Sequence, residues 1–235
     1  MLFVAPAAGA RGAQAAGDPD LLYRGRTDPA SAREAAAIWD ARLTANPGDF
    51  ESAWKLARAT YWLGGHLPQA ERRAALERGV EAGRRAAALE PARPEGHFWM
   101  AASMGALAES FGLRQGLKYR GAIKDALDTV LRLDPGFQNG SADRALGRWY
   151  YKVPRLFGGS NARSEAHLRA SLRYAPNSTA SHLFLADTLT DLHRDAAARE
   201  ELQKVMAAPI DPEWEPEDRE FKAQAAERLA APGRR

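Results

Sequence analysis

A chain of 235 residues, 45% hydrophobic and 27% charged, can build one sizeable core or a short repeat array. It has no cysteine, which removes disulfides, thiolate metal sites and thiol nucleophiles. The net charge is only +3 and no dense basic block carries interleaved aromatics, so nucleic acid is not an expected partner. Alanine is abundant and β-branched residues are scarce, a balance that favours helix because alanine loses no side-chain entropy there.

The first segment, MLFVAPAAGARGAQA, is apolar and rich in small residues, then gives way to GDPD. It reads as a disordered tail or the remnant of a secretory signal with an A-x-A-like end at Ala13, Gln14 and Ala15. Residues 1–28 are assigned to that tail, 29–230 to a folded helical domain and 231–235 to a disordered C-terminus. No segment is long and apolar enough to suggest a membrane span.

Four prolines punctuate the folded part. Pro47, Pro91, Pro135 and Pro176 are spaced 44, 44 and 41 residues apart, each after a helical pattern. Proline disfavours helix at the residue before it, so each marks a helix stop. Helices are predicted at 31–45, 49–64, 70–89, 94–110, 115–132, 141–152, 161–174, 178–192, 195–207 and 216–230. In 115–132, Ile123, Leu127, Val130 and Leu131 share one face. Ten residues after each proline stands alanine: Ala57, Ala101, Ala145 and Ala186. A small residue there lets a neighbouring helix approach closely, as in tetratricopeptide (TPR) units. In the third unit Leu146-Gly147 with Tyr150 fits that pattern better, displaced by two residues. The expected fold is all-α, a TPR-like right-handed array of antiparallel helix pairs. Its first three units carry surplus residues, assigned to extended inter-helix turns at 64–69, 108–116 and 152–161.

The stretch RALGRWYYKVPRLFGGS (144–160) resembles the T component of TPR-associated TRAP transporters, the TatT family, with its LG-x-x-Y and GG segment. WKLARATYWLG (54–64), APNSTASHLFLAD (175–187) and DPEWEPED (211–218) extend the resemblance over about residues 45–230. Pieces like WKLAR and LGRW also occur in a eukaryotic family of microtubule-associated TPR proteins. The TatT resemblance implies a periplasmic, non-enzymatic helper of solute uptake that associates with a substrate-binding subunit and forms oligomers, trimers in the described case. That case is a lipoprotein, which needs a cysteine after the signal. This chain has none, so a lipid anchor is not implied. The alternative is a generic TPR scaffold gripping a peptide or helix of a partner protein, in the cytoplasm or periplasm.

In TPR arrays the first helix of each pair lines the inner surface. That register turns Trp54, Arg58 and Tyr61 inward from the first unit, Phe98 and Ala102 from the second, and Arg144, Arg148 and Tyr151 from the third; Leu183 and Asp187 follow from the fourth. Arginine beside aromatics suits a flat anion, because guanidinium grips a carboxylate with two parallel bonds. The candidate ligand is therefore a small organic acid or an acidic peptide segment. The competing reading makes the aromatics core residues and lets Arg144 and Arg148 bridge to acids of a neighbouring helix.

Nothing points to catalysis. The five histidines His66, His97, His167, His182 and His193 show no metal-ligand spacing, and no cofactor motif appears. His97 and His182, each six residues after its proline, are expected to be structural. Gly158-Gly159 reads as a tight turn, with Ser160 or Asn161 capping the next helix. The run 211–220 carries a net −5 and is expected to place acids at the start of the last helix, with Trp214 pinning it to the array.

Overall fold

Helix starts and stops are set by local chemistry. The computed structural model describes residues 17–231. Asp18, Asp28 and Asp49 cap three helices through side-chain oxygens that accept backbone N–H bonds, as Ser160 and Ser178 do later. The helices are α1 (Pro19–Arg24), α2 (Pro29–Ala45), α3 (Phe50–His66), α4 (Gln69–Leu89), α5 (Pro94–Ser110), α6 (Leu113–Leu133), α7 (Phe137–Lys152), α8 (Asn161–Tyr174), α9 (Thr179–Asp191), α10 (Asp195–Ala207) and α11 (Glu215–Ala230). Among the described residues there is no strand.

The prolines act as expected. Asn46, Glu90, Asp134 and Ala175 each precede a repeat proline, and each leaves the helical region, with φ between −127° and −153° and ψ between 78° and 97°. His97 and His182 each bring Nε2 to the carbonyl of their own repeat's proline, at 3.0 Å from Pro91 and 2.8 Å from Pro176. They staple the start of a helix to the turn before it. His182 is buried and also meets Glu201 at 2.5 Å.

Antiparallel pairs α3/α4, α5/α6, α7/α8 and α9/α10 stack in order, so the all-α TPR-like array holds. Small residues let the helices meet. Ala57, Ala101 and Ala186 are buried. In the third unit Ala145 is half-buried, and Gly147 takes the contact position, where a Cβ would lie 2.5 Å from Leu168. The core falls into two clusters. The larger runs through Trp39, Leu56, Leu76, Leu107, Leu127 and Leu146; the smaller, around Leu168, Leu183, Leu189 and Val205, lies under the last helices.

Two expectations change. The surplus residues of the first two units lengthen helices instead of forming turns. Gly64 and Gly65 stay inside α3, leaving only Leu67 and Pro68 before α4, and only Phe111 and Gly112 separate α5 from α6. Gly64 remains helical because Leu76 fills the space a Cβ would need, 2.3 Å away. The third turn is the extended one, a 3-10 turn at Arg155–Phe157 followed by Gly158 at φ +103°. A Cβ on Gly159 would meet the Val153 carbonyl oxygen at 1.6 Å, and Ser160 caps α8. The second change is at the N-terminal boundary. Residues 17–28, assigned to the tail, are built into the fold through α1 and a buried Arg26. The assignments for 1–16 and 232–235 lie outside the described residues.

Glycine positions on α5 separate packing from propensity. A Cβ on Gly96 would lie 2.3 Å from the Ala87 nitrogen, whereas one on Gly105 meets nothing within 4 Å. Gly96→Ala lowers unfolding stability by about 1–3 kcal/mol, since backbone cannot yield as a side chain does. Gly105→Ala raises it by about 0.5–1 kcal/mol. Urea denaturation of the two variants checks both signs.

Candidate functional site

The concave side of the array holds a half-open cavity of about 1480 Å³. Its walls come from α3 and α5, with Tyr61, Phe98, Trp99 and Ala102, and from α7, with Arg144 and Arg148. Phe98 and Trp99 are largely buried and hold each other edge-on at 5.0 Å, with Tyr61 tilted over Trp99 at 5.7 Å. Tyr61 keeps 38% of its surface open.

The two arginines one turn apart on α7 differ in surroundings. Arg148 meets Glu109 at 3.2 Å and Asp187 at 3.0 Å, and Asp187 also pairs with Arg228. Its charge is neutralised by acids of α5 and α9. Arg144 is half-buried and has no acid within ion-pair distance among the described residues. Loss of hydration lowers its pKa from the ordinary arginine value, against the weaker opposing fields of Tyr61 and Asp218. Nearby, Gln138, Asn139 and Gly140 run consecutively through the left-handed region, and the buried Gln138 Oε1 has no hydrogen-bond partner. Such backbone costs free energy for the two non-glycine residues, and it sits on the cavity wall.

Not all seven candidate residues meet there. Tyr61, Phe98, Arg144 and Arg148 line the cavity. Trp54 and Arg58 do not, and α1 engages Arg58 instead. Asp20 of α1 pairs with Lys55 at 2.9 Å and with Arg58 at 3.5 Å. Arg58 is boxed by Tyr23, Trp39 and Trp54, with its guanidinium carbon 4.2 Å from the Tyr23 ring centre. Tyr151 instead faces a smaller pocket of about 400 Å³ beside the third turn, which Val153, Ser160 and His193 also line.

The C-terminal segment supplies residues that the register of repeats does not reach. α11 packs on α9 and α10 through Phe221 and Ala225, while Trp214, just before it, packs on the larger, N-terminal core cluster. Arg26, 3% exposed, donates to both Glu217 oxygens at 3.1 and 2.6 Å and to the Glu213 carbonyl at 2.8 Å. The Trp62 indole N–H donates to the Arg26 carbonyl. His66 stacks on Trp62 with centroids 3.5 Å apart and reaches Glu220 at 2.7 Å. These contacts join residues 191 positions apart and close the ends of the array on each other. The Asp-Pro pairs 18–19 and 28–29 signal α1 and α2, each an N-cap followed by a proline at the first helical position. No sequence signal marks the pairing of Arg26 with Glu217.

Among the described residues no group of acids and histidines could hold a metal ion, and no helix is long and apolar enough to cross a membrane.

The family model described as Regulator of microtubule dynamics protein 1-3 matches residues 20–157, from α1 to the third turn. The chain belongs to that family. No curated protein matches the sequence. Among solved structures, a thermophilic TPR protein of Thermus thermophilus superposes with a TM-score of 0.67 at 20% identity, over 91% of this chain and 98% of that one. The pilF protein of Pseudomonas aeruginosa gives 0.57 at 17% identity, over 90% and 88%. MamA gives 0.52 at 15% identity, over 87% and 98%. At such identities these likenesses show the TPR-like fold.

The His66–Glu220 contact makes the closure depend on pH. Burial lowers the His66 pKa, but the Glu220 hydrogen bond and the Trp62 carbonyl outweigh it, so the net shift is upward. A pKa raised on folding stabilises the fold fully below the unfolded value, about 6.5, and that contribution is lost as pH rises through the folded value. The urea midpoint of the wild type therefore exceeds that of His66→Gln at pH 6, and the gap narrows by pH 9.

Proposed function

We propose that the chain is a non-catalytic TPR-like scaffold that holds a segment of a partner protein in its concave cavity, with Arg144 meeting an acidic group of that segment. The carrying observation is Arg144, a desolvated cation without an acid partner on the wall of a large cavity. Arg144 is half-buried and lacks an internal acid partner among the described residues, and a carboxylate from a ligand would meet it through paired, charge-assisted hydrogen bonds. Size favours a polypeptide. Small-molecule pockets run to about 300–1,000 Å³, and this cavity is larger, at about 1480 Å³.

A finer form of this reading makes the chain a TatT-like component of a TRAP transporter. The partner is then a periplasmic solute-binding subunit, the protein works in the periplasm as an oligomer, trimeric by resemblance, and Arg144 takes a small organic acid. Its support is the segment 144–160, which carries Arg144 on α7 and the Gly158-Gly159 turn that gave the resemblance. The family match to regulators of microtubule dynamics supports a different partner, one from the microtubule system.

A photo-crosslinking amino acid at Ala102, on the cavity wall, tests the proposal in the native host. The expected result is a discrete protein adduct that Arg144→Ala reduces about tenfold or more and that does not form from Ala74, exposed on α4. Equal adducts from both positions, or none from Ala102, would overturn it. The identity of the adduct separates a solute-binding subunit from a microtubule component.

A further inference from the structure

The face formed by α1, the turn after it and α3 already holds a ligand-like segment, the chain's own residues 213–220 at the entry to α11. Its contacts show what that face recognises. Arg26 is clamped between two rings, 5.0 Å from the Tyr23 centre and 5.2 Å from that of Trp62. Held there, it presents a fixed fork to the Glu217 carboxylate and one further bond to the Glu213 carbonyl. His66, fixed by stacking on Trp62 and by the Trp62 carbonyl at 2.7 Å, meets Glu220. Glu217 and Glu220 are three apart, so they share one face of a helical segment. Trp214, one residue before α11, supplies the apolar anchor.

The hold is local. The strand of chain leading into it, 209–213, is exposed and carries Pro209 and Pro212. The Glu220 side chain is 51% exposed. The rest of α11 is tied separately to the last repeat by the Phe184–Phe221 ring contact, by buried Ala225 and by Lys222 bonds to the carbonyls of Val205 and Met206. The Glu217 and Glu220 side chains can therefore leave Arg26 and His66 while Asp218, Phe221 and Ala225 keep α11 docked.

We infer that Tyr23, Arg26, Trp62 and His66 form a receptor site for a helical segment carrying an aromatic residue followed by two acids three residues apart, and that residues 213–220 are its resident occupant. A partner presenting the same chemistry competes with the chain's own segment and opens the ring when it binds. Charge complementarity and the bound internal segment commit the site to this class of partner. Basic or uncharged segments would leave Arg26 desolvated and unpaired.

The test uses the full chain and a fluorescent peptide of sequence DPEWEPEDRE, residues 211–220. Fluorescence anisotropy is expected to show binding to the Trp214→Ala, Glu217→Ala double variant about tenfold or more tighter than to wild type, because the resident segment no longer competes. A peptide with both acids of the pair changed, Glu217→Gln and Glu220→Gln, should lose that binding. The single variant Glu217→Gln keeps the shape of the side chain. It should bind the peptide more tightly than wild type even if the double variant fails to fold. Equal affinity for wild type and Glu217→Gln, or undiminished binding of the glutamine peptide, would overturn the inference. The peptide is itself acidic, so each affinity is read in an Arg144→Ala background, which keeps the outcome separate from that of the cross-linking experiment at Ala102.

Discussion

No helix pair in this chain can bury its apolar stripe alone, and everything else follows from how closely neighbouring pairs must meet. The contacts are made where side chains nearly vanish. Gly83 lies against the Met100 backbone, where a Cβ would be 2.7 Å from its nitrogen, and Gly96 meets Ala87 more tightly still. Buried alanines at 57, 101 and 186 repeat the device in the first helix of three pairs. Close packing of this kind leaves few adjustable contacts, so the array's curvature is fixed by backbone approach rather than by large side chains. A stiff curved array has a concave side, and in the first two units the long helices α3 to α6 make that side deep.

An array built in this way has two ends with unburied faces. At the N-terminal end α1 packs on α2, and its Asp20 pairs with Lys55 and Arg58 of α3. At the other end α11 covers the last pair and extends its leading turn to Arg26. A charge as buried as Arg26 is tolerable only with its partner in place. The ion pair is therefore stronger as a constraint on geometry than as a source of net stability. It fixes the entry of α11 against the N-terminal end of the array.

The repeat architecture was legible in the sequence because its marks are local. A proline acts on the residue before it, and a capping aspartate or serine acts within three residues. Helices predicted at 94–110, 161–174 and 195–207 coincide with α5, α8 and α10. The reading lost ground where tertiary contacts overrode local preference. Gly64 and Gly65 suggest a turn on propensity, yet Leu76 needs the space beside Gly64 and the helix continues. Of the site, the cavity walls at Tyr61, Phe98 and Arg144 were reachable from the repeat register. The engagement of Arg58 by α1 and the pairing of Arg26 with Glu217 were not, since neither has a period or a spacing.

Arg144 and Arg148 show why residue type and register stop short of function. They share a helix and a face, and from the sequence they form one candidate pair. Around Arg148 the neighbouring helices supply Glu109 and Asp187, and the guanidinium becomes a strut between α5, α7 and α9. Around Arg144 they supply Tyr61 and the wall of the cavity, with no acid in reach among the described residues. A cation is free to bind only where the fold withholds a counter-ion. That property belongs to the surroundings and not to the arginine. The same test separates Arg26, whose acid is internal, from Arg144, which has no acid at ion-pair distance among the described residues. Arg26 and Arg144 are thus arginines of opposite kind, one paired within the chain and one on the cavity wall without such a partner among the described residues.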